Sequence, residues 1–194
     1  MKKIKLSYKI IAYSGILVGA IFLGYIVVQP LLADIHYQRA KREYDSMEWK
    51  KAIVEYEKAI SIQPSNAEYR LELARIHSRL AYLYQDKEAL KEAIEEFRNA
   101  LQLNPYDGLA HSNFAWTYKQ HGMYKEAIEE LKEAIELDPT NISFHWRLGV
   151  VYRANEELNK AKEEFEKILD VVPEQQEAKL ILDQINKKLK VNTQ

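Results

Sequence analysis

The chain of 194 residues contains no cysteine. Disulfides, thiolate metal sites, a cysteine nucleophile and a lipidated cysteine are therefore excluded, while the redox compartment stays open. Glycine and proline are scarce, at six and five residues. No glycine-rich phosphate loop, H-E-x-x-H or G-x-S-x-G occurs, so the short motifs of nucleotide, zinc-protease and hydrolase chemistry are missing. Acidic residues are absent before Asp34, and charge of either sign is absent from Ile10 to Ala33.

Four lysines (Lys2, Lys3, Lys5, Lys9) precede that uncharged run, leaving a body of 24 basic and 29 acidic residues. A net charge of −5 over the body argues against nucleic acid as a partner, because phosphate binding needs a clustered positive surface. A helix over the 24 uncharged residues would reach ~36 Å, enough for a ~30 Å hydrocarbon core. The expectation is a basic tail over 1–9 and a single-pass transmembrane anchor over 10–33, ended by Pro30. A cleaved signal is disfavoured by the length of the run and by Leu31 at the cleavage position. The flanking lysines place the N-terminus in the cytoplasm and the body extracytoplasmic. The spacings Gly15-x-x-x-Gly19 and Ala20-x-x-x-Gly24 offer a homodimer through Gly15 and Gly19.

The body repeats itself. "KKAIVEYEKAISIQPSN" (50–66), "KEAIEEFRNALQLNPYD" (91–107), "KEAIEELKEAIELDPTN" (125–141) and "NKAKEEFEKILDVVPEQ" (159–175) align on fixed offsets. Alanine recurs at Ala52, Ala93, Ala127 and Ala161, followed by Tyr56, Phe97, Leu131 and Phe165 four residues on. Ala59, Ala100, Ala134 and Ile168 complete the stripe, and Pro64, Pro105, Pro139 and Pro173 close each copy. Apolar residues at i, i+4 and i+7 form one helix face, small residues admit a close neighbour, and proline stops the helix. A second helix precedes each phrase, with His111-x-x-Phe114-Ala115-x-x-Tyr118 in the third copy and His145-x-x-Leu148-Gly149-x-x-Tyr152 in the fourth. Ser65-x-x-Glu68 has capping-box spacing, and Asn66, Asp107 and Asn141 are candidate N-caps.

With the following Ala, aromatic and Pro, this pattern resembles the tetratricopeptide repeat (TPR) family. The first copy departs most, with Arg39-Ala40 and Glu43 in the Leu-Gly and Tyr slots. The resemblance implies an all-α solenoid: four repeats over 34–65, 66–106, 107–140 and 141–173, and an amphipathic capping helix over 174–190. The second copy has seven extra residues within "LARIHSRLAYLYQDKEALKEA" (73–93). Its Leu-Ala pair appears twice, as Leu73-Ala74 and Leu80-Ala81. Two further turns on the first helix are expected, ending near Gln85 and projecting as a ridge, with Asp86 capping the next helix.

What the family does is hold protein partners without catalysis, so no enzyme activity, cofactor or metal is expected. His36, His111 and His145 share the slot of a packing tryptophan and read as core substitutions, since paired ligands are missing. The resemblance also implies a concave peptide groove lined by the first helices. Its carried-over residues are Tyr37, Lys41, Tyr44, Arg75, Arg79, Asn113, Trp116, Lys119, Trp146, Arg147 and Arg153. Aromatics and cations dominate that set, which suits a peptide bearing carboxylates. The expected protein is a membrane-anchored scaffold in bacterial envelope assembly or secretion. Self-assembly of the repeats into a structural oligomer is the alternative.

Overall fold

The computed structural model describes residues 2–191, with the backbone alone for 2–17, 20 and 21. Among the described residues all regular structure is helical. The elements are α1 (Lys2–Asp45), α2 (Trp49–Ile62), α3 (Ala67–Tyr84), α4 (Lys87–Leu103), α5 (Gly108–Gln120), α6 (Tyr124–Leu137), α7 (Ile142–Ala154), α8 (Leu158–Val171) and α9 (Gln176–Val191). The repeated slots make the core: Ala52, Tyr56, Ala59, Ala93, Phe97, Ala100, Ala127, Leu131, Ala134, Ala161, Phe165 and Ile168 are all at most 1% exposed. Full burial of each Phe or Leu in that stripe contributes about 2 kcal/mol, and the interleaved alanines let the helix backbones meet.

Helix starts follow local chemistry. Asp86 accepts from the amides of Glu88 and Ala89, Asp107 from Ala110, and Asn141 from Ser143. At α3 Asn66 accepts from Glu68 N at 3.0 Å, so the cap is Asn66 rather than the box expected at Ser65. Each helix pair turns on a left-handed residue two positions before its second helix: Met47, Gln85, Gly122 and Glu156. Only at Gly122 is that conformation free of the Cβ penalty.

The chain divides into two compact units, residues 1–73 and 74–194, and the division falls inside α3. In the first unit α1 packs on α2. Tyr37 lies against Tyr56 and Tyr69, at ring separations of 5.8 and 5.1 Å, and donates its hydroxyl to Glu68 at 2.5 Å. In the second unit α4 packs on α5, α5 on α6, α6 on α7, α7 on α8 and α8 on α9, while α5 also touches α7. Phe114 stacks between Phe97 (5.0 Å) and Tyr118 (4.4 Å). Ser78 of α3 and Thr117 of α5 share a buried hydroxyl hydrogen bond of 2.8 Å.

The seven extra residues of the second copy are distributed along its helices. Helices α3 and α4 have 18 and 17 residues against 13 and 14 in α5 and α6, and their connecting turn is one residue shorter. Helix α3 ends at Tyr84, with Gln85 already in the turn. The repeated Leu-Ala pair gives α3 two registers. Its front residue Tyr69 meets Tyr37, and its rear residue Ser78 meets Thr117.

The expected membrane anchor is corrected. Among the described residues no helix is long and apolar enough to cross a membrane. The anchor over 10–33 therefore falls, and with it the membrane localisation and the extracytoplasmic placement of the body. The side chains of residues 10–17, 20 and 21 lie outside the described ones. Pro30 does not end the helix, since α1 continues through Pro30 to Asp45 and buries Ala33, Tyr37 and Ala40 in the first helix pair. The envelope and secretion roles expected with that anchor lose its support. The expected Gly15–Gly19 pairing involves a residue outside the described side chains, and a Cβ at Gly19 would meet nothing within 4 Å.

Candidate peptide-binding surface

In the second unit, four of the expected groove residues converge where α5 touches α7. Asn113, Trp116 and Lys119 stand three residues apart along α5 and share one helix face. Arg147 reaches across from α7. Its Nη1 donates to the Ser112 carbonyl at 2.9 Å and to Asn113 Oδ1 at 3.3 Å. The guanidinium lies 5.5 Å from the Trp116 ring centroid, and Lys119 Nζ lies 4.5 Å from the same centroid. Trp116 is thus an aromatic plane approached by two cations, each contact being of the size that stabilises by roughly 0.5–2 kcal/mol.

The electrostatics of this cluster are one-sided. Among the described residues no carboxylate pairs with Lys119, Arg147 or Arg153. Burial lowers the pKa of Arg147 from its ordinary value. A guanidinium withdrawn from water and held only by neutral acceptors is poised to take a carboxylate, whose bidentate geometry fits its fork.

The other expected residues separate from this cluster. Trp146 packs edge-on against Phe165 at 5.3 Å, inside the contact of α7 with α8. Arg153 is half-buried in the last turn of α7, and Arg75 and Arg79 are exposed on α3. Tyr37, Lys41 and Tyr44 belong to the first unit. There Tyr37 is buried in the core, Lys41 sits 5.5 Å over its ring, and Tyr44 packs edge-on to Trp49 at 5.2 Å. The Tyr37 ring completes an aromatic cluster with Tyr56 and Tyr69. A cleft of about 590 Å³ lies elsewhere, lined by Leu90, Ile94, Arg98, Asn99, Met123 and their neighbours. Among the described residues no group of His, Asp and Glu could hold a metal ion. The histidines of the packing slot are not plain core substitutions, because each makes a polar contact with a glutamate.

A tetratricopeptide repeat model matches residues 74–107 and 142–174, and a TPR repeat model matches residues 116–156. The chain belongs to the tetratricopeptide repeat family. The match that starts at residue 74 coincides with the start of the second unit, so the rear register of α3 is the one that begins a repeat. Among solved structures, the chain is similar to PilF of Pseudomonas aeruginosa, with 25% identity and a TM-score of 0.68 over 84% of this chain and 71% of that one. YrrB, described as a TPR protein with an unusual peptide-binding site, is 26% identical with a TM-score of 0.61, over 75% of this chain and 72% of that one. MamA shares the fold at 22% identity and a TM-score of 0.66, over 78% of this chain and 84% of its own. No curated protein matches the sequence.

Proposed function

We propose that this TPR protein is a non-catalytic interaction module whose second unit binds a peptide segment bearing carboxylates, at the cluster of Asn113, Trp116, Lys119 and Arg147. One observation carries the reading: Arg147 is half-buried, lies over Trp116 and is bonded to neutral acceptors, and among the described residues no carboxylate pairs with it. The likeness to YrrB, whose described feature is a peptide-binding site, supports the same use of the fold. Trp116 supplies flat contact area at low entropic cost, and Lys119 and Arg147 supply direction and charge. Recognition of this kind weakens with added salt in proportion to the exposed part of the charge interaction.

The test is calorimetric titration of the full chain with a short acidic peptide, in parallel with the same peptide carrying amides in place of its carboxylates. Arg147→Gln and Trp116→Ala should each weaken the acidic peptide at least tenfold, the cost of one charge-assisted bond or one stacked ring. Their circular dichroism should stay helical. Equal affinity for the two peptides, or full affinity retained in Arg147→Gln, refutes the proposal. Sedimentation across a range of concentrations separates this reading from self-assembly, which predicts growth in size with concentration.

A further inference from the structure

We propose that every helix pair is closed by a histidine–glutamate clasp. In the second unit the clasps at His111 and His145 also reach a backbone carbonyl and tie α5 and α7 to the preceding repeat, and the His111 clasp is a cationic staple that lets go as the pH rises. The pattern is periodic. Histidine stands sixteen residues before the repeat alanine in all four copies, at His36, His77, His111 and His145, and glutamate stands three after it, at Glu55, Glu96, Glu130 and Glu164. The geometry repeats with the sequence. Nδ1 of His36, His111 and His145 lies 2.7 Å from Oε2 of Glu55, Glu130 and Glu164. His77 pairs with Glu92, one turn before Glu96, at 2.9 Å.

At His111 and His145 the ring has a second partner. Nε2 of His111 lies 3.1 Å from the Pro105 carbonyl, and Nε2 of His145 lies 3.1 Å from the Pro139 carbonyl. These prolines end the previous repeat, so each ring joins three pieces: its own first helix, its own second helix and the connection before them. A carbonyl and a carboxylate both accept, and neither has a proton to give. A neutral imidazole has one N–H and one lone pair, so it can satisfy only one of the two and must aim its lone pair at the other. Both contacts are made at once only by the doubly protonated ring. At His36 the residue six positions before, Pro30, lies within a continuous helix, so its carbonyl belongs to the helix.

The surrounding charges agree with this assignment. His111 faces Glu130 and Glu133 of α6, while the α4–α5 connection presents the Pro105 carbonyl. The hydrogen bond to Glu130 raises the pKa of His111 above its ordinary value; burial opposes it, and the Pro105 bond adds to it. His145 faces Glu164 of α8, a buried carboxylate that also takes Lys167 Nζ at 2.8 Å, and the Pro139 carbonyl of the α6–α7 connection. A buried carboxylate needs such partners to remain charged. Because the folded-state pKa of His111 is raised, its contribution is fully present below the unfolded imidazole value of ~6.5 and is lost as pH rises through the folded value. His121 acts with the opposite sign. Burial lowers its pKa, so its contribution is lost as pH falls. The readout must therefore be the difference between variants, not the raw profile.

Proton–nitrogen correlation spectra of the full chain, with His111→Gln to assign the ring, test the staple. At a pH of about 6 both nitrogens of His111 should carry protons, with a titration midpoint above that of free imidazole (~6.5), and Glu130→Gln should return the midpoint toward it. Urea unfolding should show the folding constant weakening between pH of about 6 and 8, about tenfold for each unit by which the midpoint is displaced. His111→Gln should lose that part of the pH dependence. A single neutral tautomer at pH of about 6, a midpoint at or below ~6.5, or a pH profile unchanged in both variants overturns the proposal. Should His111→Gln fail to fold, the wild-type ring titration decides by itself.

Discussion

Replacing Gly149 with alanine tests how tightly the fourth helix pair is packed. A Cβ at Gly149 would lie 2.9 Å from Phe165 Cε2, 3.1 Å from its Cζ and 3.3 Å from its Cδ2. The ring cannot swing clear cheaply, because Phe165 is fully buried and Trp146 packs edge-on against it at 5.3 Å. Two opposing effects set the magnitude. Alanine in a helix interior gains about 1 kcal/mol over glycine. Forcing a methyl into a filled site costs about 1–3 kcal/mol. Gly149→Ala is therefore expected to destabilise by up to about 2 kcal/mol instead of stabilising, measured as a shift in the urea midpoint at constant slope. Phe165→Leu supplies the control, since the third helix pair carries Ala115 and Leu131 at the corresponding positions, both buried. Alone it should cost about 1–2 kcal/mol through lost apolar contact. In its presence the overlap is gone, and Gly149→Ala should become neutral or stabilising by up to about 1 kcal/mol. A double variant whose effect equals the sum of the singles within about 0.5 kcal/mol refutes the clash and the tight packing with it.

Three further outcomes follow from single contacts. Thr117→Val strands the buried Ser78 hydroxyl, whose partner is 2.8 Å away, and should cost about 1–3 kcal/mol in urea unfolding; adding Ser78→Ala should recover part of that loss, and a fully additive pair would contradict the bond. Met47 adopts φ of 61° with its side chain largely exposed, so Met47→Gly should stabilise by about 1 kcal/mol in the same assay, and destabilisation would refute the strain argument. Burial is the leading cause that raises the pKa values of Tyr37, Tyr69, Tyr118 and Tyr152. Their contribution to stability is present below the ordinary phenol value of ~10 and lost as pH rises through the folded values. Tyrosinate absorbance from these four should appear only together with loss of helical dichroism, and complete titration of a helical chain would refute it.

The candidate site was only partly legible in the sequence. Helical periodicity put Trp116 and Trp146 on equal terms, because it reports which face a residue occupies and not what that face meets. The contact of Trp146 with Phe165, and that of Arg147 with Ser112 and Asn113, depend on how neighbouring helices are placed. The clasp was in principle visible. Histidine recurs in the packing slot of every copy, but the seven-residue extension hid His77 from a count made from the start of its helix. Hydropathy misled at the N-terminus, where it counts apolar residues without showing that α1 continues beyond Pro30 into the first helix pair.

By itself the sequence determined the local and periodic features: the paired helices, the proline stops, the caps at Asp86, Asp107 and Asn141, and the small-residue stripe that makes a TPR stack. These depend on interactions within a few residues, and a linear pattern records them fully. The tertiary structure alone decided the rest. It assigned α3 two registers across the division at residue 74, buried Tyr37 and set Arg147 beside Trp116 with no carboxylate among the described residues paired to it. It also brought the Pro105 and Pro139 carbonyls to His111 and His145. Those outcomes are set by long-range packing, where one side chain's role depends on which helix happens to stand opposite.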